Sequence, residues 1–363
     1  MLSLYVHIPF CKEICSYCDF CKVYYQKEWA DDYLSQLKKE IEFKKVPTAL
    51  DTIYIGGGTP TSLNTQQIQR LMELLKPYRL EVKEYSIEVN PETMTYQKLQ
   101  ILYDGGVTRL SIGVQTFQEH LLTHLHRQHC NQDVFQVIQW AKEIGFTNIS
   151  IDLMYGIPYQ TKEDIIQDIE MAISLDIQHI SYYSLILEEH TILSYQNYQP
   201  IDEQKEGQYY ELIESQLEEN GFFKYEVSNF SKQGYESLHN SVYWQYQNYL
   251  GVGVGATGMV DGVREENTHS LTLYLQGHVL KKKEEISLAD QMFEMIMMGL
   301  RLTKGMSMND FEQRFHVSFM DEYRDVIEKY RTMDLLVCED GYLKVNKRGM
   351  EVLHDILIDF IKD

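Results

Sequence analysis

The sequence predicts a parallel α/β domain followed by a small helical, winged-helix-like module. Short apolar β-type runs alternate with helical patterns six times in the first half of the chain. That alternation is the signature of parallel strands joined by right-handed crossovers. From about residue 190 to 285 the pattern becomes irregular and rich in Tyr and Gly. Helical spacing then returns and closes on a hairpin signal, Asp340-Gly341, between two apolar runs.

The β-type runs are 3–7, 52–55, 85–89, 109–113, 148–153 and 179–185, each short and rich in Val, Ile or Tyr. Between them, Ile68, Leu71, Met72, Leu74 and Leu75 fall on one helical face, and Pro77 stops that helix. Val134, Ile138 and Ala141 mark another helix, with Gly145 as its C-cap. Thr161 to Asp164 has the form of a capping box ahead of Ile165, Ile169 and Ala172. A helix over 208–217 is expected inside the irregular stretch. Beyond it, 289–302, 308–315 and 321–330 read as helices, and 335–338 and 342–345 as hairpin strands. The alternation fits both a doubly wound sheet and an incomplete barrel, and periodicity does not choose between them.

The 363 residues are 44% hydrophobic and 24% charged, an ordinary globular composition with length for one large core and a smaller appended one. The formal net charge of −21 argues against nucleic acid as a partner, because phosphate binding needs a basic face. It also disfavours a surface drawn to anionic lipid. No apolar run reaches the length of a membrane span. Met1 to His7 lacks the basic and apolar regions of a signal peptide, so the expected location is cytoplasmic. Of six cysteines, four crowd between positions 11 and 21, while Cys130 and Cys338 stand alone. That is a metal pattern in a reducing compartment rather than a disulfide framework.

Cys11-x-x-x-Cys15-x-x-Cys18 directly follows the first β-type run. Three thiolates at this spacing can hold three corners of a four-iron cubane and leave the fourth iron open. The logic is that of a catalytic zinc site, which also keeps one position free. The competing readings are a zinc site with Cys21 or His7 as fourth ligand, and plain reduced thiols. The surroundings favour the cluster, because ligands of parallel α/β folds gather at the C-terminal ends of the strands. There the sequence places Gly56-Gly57-Gly58-Thr59-Pro60, Glu88-Val89-Asn90-Pro91, Gly113-Val114-Gln115 and Asp152.

Together, Tyr5-x-His7-Ile8-Pro9-Phe10-Cys11, the CxxxCxxC run, GGGTP and Gly113-Val114-Gln115 resemble the radical S-adenosylmethionine (radical SAM) superfamily, nearly end to end. More narrowly, the chain resembles the anaerobic coproporphyrinogen III oxidase family, and within it the HemW subfamily of heme chaperones. The oxidases carry a further cysteine two residues after the third; here that position is Phe20, and Cys21 is out of register. Only ten residues precede Cys11, where the oxidases carry a long extension. His239-Asn240-Ser241-Val242-Tyr243-Trp244 matches an HNxxYW motif of the chaperones, and Met298-Gly299-Leu300-Arg301-Leu302 matches their C-terminal domain.

The resemblance implies a partial (β/α)6, TIM-like radical SAM barrel over 1–190. An irregular extension over 191–288 would carry the HNxxYW motif, and a C-terminal domain would cover 289–363. It implies a [4Fe–4S] cluster on Cys11, Cys15 and Cys18, with S-adenosylmethionine at the open iron. Gly57, Gly58 and Thr59 would meet its methionyl end and Glu88 its ribose. Gln115, Arg127 and Asp152 would make further polar contacts, and Tyr5 and Tyr17 aromatic ones. His239 is the expected axial ligand of heme, with Tyr243 and Trp244 on the porphyrin face; a second heme or metal site at His120, His124, His126 and His129 is the weaker reading. The function implied is a heme chaperone that passes heme to a membrane-bound respiratory protein, cytoplasmic with peripheral contact at the membrane, and a homodimer is compatible with it. The alternative is the oxidase itself, an enzyme of porphyrin biosynthesis that decarboxylates coproporphyrinogen III by radical chemistry. The resemblance leaves open whether the chain is an enzyme, and no residue is assigned as catalytic.

Overall fold

A computed structural model describes residues 2–196 and 198–362; Met1, Asn197 and Asp363, two of which bound the expected segments, lie outside the described residues. Six parallel strands, β1 (Leu2–Ile8), β2 (Thr52–Gly57), β3 (Glu84–Val89), β4 (Arg109–Gln115), β5 (Ile149–Tyr155) and β6 (His179–Ser184), lie side by side in chain order. A doubly wound sheet would reverse its order at a switch point. None occurs along these six, so the incomplete barrel is the form adopted.

Five helices return the chain between them: α1 (Lys27–Phe43), α2 (Thr65–Leu75), α3 (Tyr96–Asp104), α4 (Asn131–Ile144) and α5 (Lys162–Ser174). Their limits follow local chemistry. Asn64 and Thr161 cap α2 and α5 through capping boxes with Gln67 and Asp164. Gly145 ends α4 in the left-handed region at φ 118°. After α2 the chain tightens into a 3-10 turn over Lys76–Tyr78, where Pro77 cannot continue the helix.

The irregular segment contains more regular structure than its sequence shows. A sixth helix, α6 (Glu203–Glu219), follows β6, and β7 (Asn229–Ser231) pairs antiparallel with β6. After α7 (Leu238–Trp244), β8 (Asn248–Val252) pairs parallel with the free side of β1. Then β9 (Thr257–Val260), β10 (Val263–Asn267) and β11 (Leu280–Glu285) extend that edge antiparallel. Among the described residues the sheet's two ends do not pair with each other. β11 reads LKKKEE with every residue exposed, so it has no alternation to detect. Lys281 and Lys283 pair with Glu266 and Glu265, and a charged edge of this kind resists pairing with another chain.

The C-terminal module has its own core around Ile296, Phe311, Phe319, Ile327 and Phe360. It comprises α8 (Leu288–Gly299), β12 (Met306–Ser307), α9 (Met308–Phe315), α10 (Arg324–Thr332), β13 (Leu336–Glu339) and β14 (Tyr342–Val345). The strands form a three-stranded sheet in the order β12-β14-β13, a winged-helix arrangement. The helix expected over 321–330 is split at Tyr323, with a single turn at Phe319–Glu322 before α10. Glu294 of α8 accepts from Tyr246 at 2.7 Å and pairs with Arg264 at 2.9 Å, which joins the module to the extended sheet. No helix among the described residues is long and apolar enough to cross a membrane.

Ile112, fully buried on β4, is part of the main core. Ile112→Ala should lower the unfolding free energy by about 2–5 kcal/mol in chemical denaturation. Lys281→Ala on the exposed edge should leave the midpoint unchanged.

Candidate cofactor site

The barrel strands alternate with period two, and the alternation separates core from site. On β3, Ile87 and Val89 enter the apolar core while Glu88 faces the barrel interior. On β4, Leu110 and Ile112 enter the core, and Arg109, Ser111 and Gly113 face inward. On β5, Ile151 and Leu153 pack outward, and Asp152 and Met154 inward. The result is a cavity of about 370 Å³ inside the barrel, with buried carboxylates among its lining residues. A bulge between Gly113 and Gln115 re-aims the end of β4, and Gln115 sits in the left-handed region at φ 70° on the cavity wall.

The cysteine loop closes over the C-terminal ends of these strands. Phe10–Cys11 pairs with Val23–Tyr24 and fastens the loop at its base. Its middle is pinned at Ser16, which donates to the Leu125 carbonyl through N–H at 3.1 Å and to the His124 carbonyl through Oγ at 2.8 Å. Lys22 Nζ donates to the carbonyls of Cys18 at 2.6 Å and Phe20 at 3.1 Å. Cys11, Cys15 and Cys18 are free thiols on one cavity wall. Thr59 Oγ1 lies 3.5 Å from Cys11 Sγ, and Arg127 Nη1 lies 3.5 Å from Cys15 Sγ. As a free thiol Cys11 is pushed up to about 12 by burial, against the Thr59 hydrogen bond; metal ligation needs the thiolate.

The zinc alternatives do not assemble. His7 meets the Cys21 carbonyl through Nε2 at 2.7 Å and Tyr5 through Nδ1 at 3.0 Å, so both ring nitrogens are engaged. Cys21 Sγ points instead at the His269 carbonyl, 3.5 Å away. Among the described residues no group of three His, Cys, Asp or Glu is arranged around a single ion. A cubane asks for a wider spacing, because each thiolate binds a different iron.

Eight of the nine residues expected at S-adenosylmethionine line this one cavity: Tyr17, Gly57, Gly58, Thr59, Glu88, Gln115, Arg127 and Asp152. Tyr5 does not reach it; its ring stacks behind Tyr54 at 6.2 Å. Glu88 accepts from Tyr54 Oη and from the Gly57 N–H, both at 3.0 Å. Burial and the nearby Asp152 push Glu88 up to about 7, while those two hydrogen bonds work the other way. Burial also raises Asp152, with Ser181 and Ser111 opposing it. Arg127 is buried, its Nη2 donates to the Gly113 carbonyl at 2.5 Å, and its Nε has no hydrogen-bond partner among the described residues. Three thiols on one wall, a glycine-lined strand end and an orphaned guanidinium N–H in one cavity fit a [4Fe–4S] cluster with S-adenosylmethionine beside it.

His239 is a correction. Its ring is fully buried, with Nδ1 2.7 Å from Thr52 Oγ1 and Nε2 2.8 Å from Tyr243 Oη, and it stacks on Tyr54 at 5.1 Å. Neither nitrogen is free for iron. Trp244 is stacked by Arg301, whose guanidinium carbon lies 5.8 Å from the ring centre. Of the histidine run, His120 faces Asp164 at 3.8 Å and His124 packs on Tyr159. His129 is buried against Glu92 at 3.7 Å, so these three do not converge on one ligand. Sequence reasoning placed Asn90 at the strand end without giving it a role, and missed Ser16, Tyr54 and Glu92. Asn90 and Glu92 follow the strand-end pattern that marked Glu88, and this was their one available signal.

The sequence profile of the radical SAM superfamily matches residues 5–172, and that of the HemN C-terminal domain matches 286–352. The heme chaperone HemW of Bacillus subtilis is 41% identical over 351 residues, covering 91% of this chain and 92% of its own. The chain belongs to the HemW family of radical SAM proteins. HemW of Lactococcus lactis is 36% identical across 99% of this chain and 97% of its own, and HemW of Escherichia coli 31% across 100% and 98%. Among solved structures, the Escherichia coli coproporphyrinogen III oxidase HemN, described as a radical SAM enzyme, superposes with a TM-score of 0.86 at 26% identity, covering 99% of this chain and 90% of that one. Membership of the radical SAM superfamily implies a [4Fe–4S] cluster and S-adenosylmethionine.

S-Adenosylmethionine carries a sulfonium cation, and an ionised Glu88 accepts hydrogen bonds that its protonated form accepts less well. With Glu88 at about 7, calorimetric affinity on cluster-loaded protein should rise between about pH 6 and 8. In Glu88→Gln the affinity should be lower, and this rise should flatten.

Proposed function

We propose that the chain is a heme chaperone that holds a [4Fe–4S] cluster on Cys11, Cys15 and Cys18, takes S-adenosylmethionine in the barrel cavity, and binds heme for delivery to a membrane-bound respiratory protein. The observation that carries this reading is the near end-to-end likeness to curated HemW proteins, 92% of the Bacillus subtilis chaperone being covered. Phe20, where the oxidases carry a further cysteine, supports it. The same reading places the protein in the cytoplasm, in contact with the membrane during transfer.

When bound, the cluster and S-adenosylmethionine supply one-electron cleavage of the sulfonium, and the protein contributes orientation and exclusion of water. Gly57 and Gly58 would present backbone to the methionyl end, and their missing Cβ atoms let this strand end pack against His7, Pro9 and Cys11. The Arg127 guanidinium, with its Nε–H unpartnered, would offer a charged donor to the methionyl carboxylate. Glu88 offers acceptors to ribose hydroxyls, with Tyr54 and the Gly57 N–H fixing its orientation. Gln115 and Asp152 supply further polar contacts, and Tyr17 covers the loop side.

A second reading, oxygen-independent oxidation of coproporphyrinogen III, is favoured by the structural likeness to HemN and by the gathered cofactor residues. One paired experiment separates the two. Cluster-loaded protein titrated with heme should develop a Soret band, and the same protein with coproporphyrinogen III, reductant and S-adenosylmethionine should form no protoporphyrinogen. Absence of the band would defeat the chaperone reading, and turnover would establish the oxidase. His239→Ala should keep the heme spectrum unchanged while losing about 1–3 kcal/mol of stability for each buried partner it leaves unpaired.

A further inference from the structure

Behind the cofactor cavity, Glu92 stands at the junction of two arms that end on cluster cysteines. Its Oε1 accepts from Asn90 Nδ2 at 3.2 Å. The same amide donates to Thr59 Oγ1 at 3.3 Å, and that hydroxyl faces Cys11 Sγ at 3.5 Å. Glu92 Oε2 lies 4.0 Å from Arg127 Nη2, and Nη1 of the same guanidinium faces Cys15 Sγ at 3.5 Å. His129 closes the junction from behind, with Nδ1 3.7 Å from Glu92 Oε2. The His129 ring is buried, and neither of its nitrogens has a hydrogen-bond partner among the described residues. Burial favours a neutral Glu92, yet His129 and Arg127 hold its carboxyl down to about 2.

Donors and positive charge at a cluster sulfur stabilise the more negative, reduced cluster, and outer residues that orient those donors tune its potential. Thr59 carries a hydroxyl that rotates, and Arg127 a long flexible stem. Glu92 is tied to Thr59 by hydrogen bonds through the Asn90 amide and faces Arg127 as an ion pair at 4.0 Å, while the Gly113 carbonyl also holds Arg127 Nη2 at 2.5 Å. We propose that Glu92 is a positioning residue of the cluster pocket: backed by His129, it fixes Thr59 against Cys11 and Arg127 against Cys15, and so sets the cluster's reduction potential. This rests on the reading of Cys11, Cys15 and Cys18 as the cluster ligands.

The test is a redox titration followed by electron paramagnetic resonance, on the anaerobically reconstituted full chain. Glu92→Gln is compared in the native background and with Arg127→Lys, which keeps the charge and removes the fork. All these proteins keep the three cysteines and should load iron. Glu92→Gln should shift the midpoint potential of the native background, and the shift with Arg127→Lys should be less than half as large. A carboxylate that only neutralises a buried charge gives the same shift in both backgrounds; that outcome, or no shift at all, overturns the proposal. If Glu92→Gln does not fold or load, Asn90→Ala with and without Thr59→Val makes the same comparison along the other arm, judged by the same rule. A native chain that holds no four-iron cluster by iron count and absorbance overturns the cluster reading and this proposal together. A loaded chain with equal shifts overturns this proposal alone.

Discussion

At the end of β2 there is no room for a side chain. A Cβ on Gly56 would fall 2.8 Å from Glu88 Oε1, and one on Gly57 2.7 Å from the His7 ring. On Gly58 it would meet the Pro9 carbonyl at 2.8 Å and Cys11 Sγ at 2.9 Å. Gly57 also sits at φ 120°, where side chains are strained. The cysteine loop leaves β1 directly against this strand end, so the missing side chains are what bring Cys11 to the cavity wall. The same approach lets the Gly57 N–H orient Glu88. A single added methyl group here would separate the cluster loop from the cofactor acids.

That contact works because the barrel is incomplete and carries polar side chains inside. In a closed eight-stranded barrel the interior is filled by bulky branched side chains. Here the inward positions are Glu88, Ser111, Gly113, Asp152 and Ser181, while the apolar residues alternate outward under the helices. Burying carboxylates in such a cavity raises Glu88 and Asp152. Glu92, a short step along the chain, goes the opposite way because Arg127 and His129 face it. Neighbouring acids on one strand end are thus set apart by their partners: one is tuned to a neutral value and one is kept as an anion.

Much of this was legible in the sequence because it is written locally. The six strands, the capping boxes and the CxxxCxxC spacing each occupy a few consecutive residues, and the alternation Ile87-Glu88-Val89 announces which side faces inward. What the sequence could not show was depth and long-range pairing. Tyr5 and His239 carry suitable chemistry but pack behind Tyr54 rather than in the cavity. Ser16 and Glu92 act through partners far along the chain, Leu125 and Arg127, and no periodicity links them. The strands from β8 to β11 escaped because short, glycine-bearing or charged strands do not alternate.

On the proposed reading, Cys11, Cys15 and Cys18 hold a cluster whose open iron is met by S-adenosylmethionine in this cavity. The most direct measurement is the electron paramagnetic resonance spectrum of the reduced, reconstituted protein with and without S-adenosylmethionine. Direct ligation of the open iron should change the cluster signal on addition, and replacing Cys11, Cys15 and Cys18 by Ala should abolish the signal. An unchanged spectrum at saturating S-adenosylmethionine, or a cluster that persists without those cysteines, would contradict it.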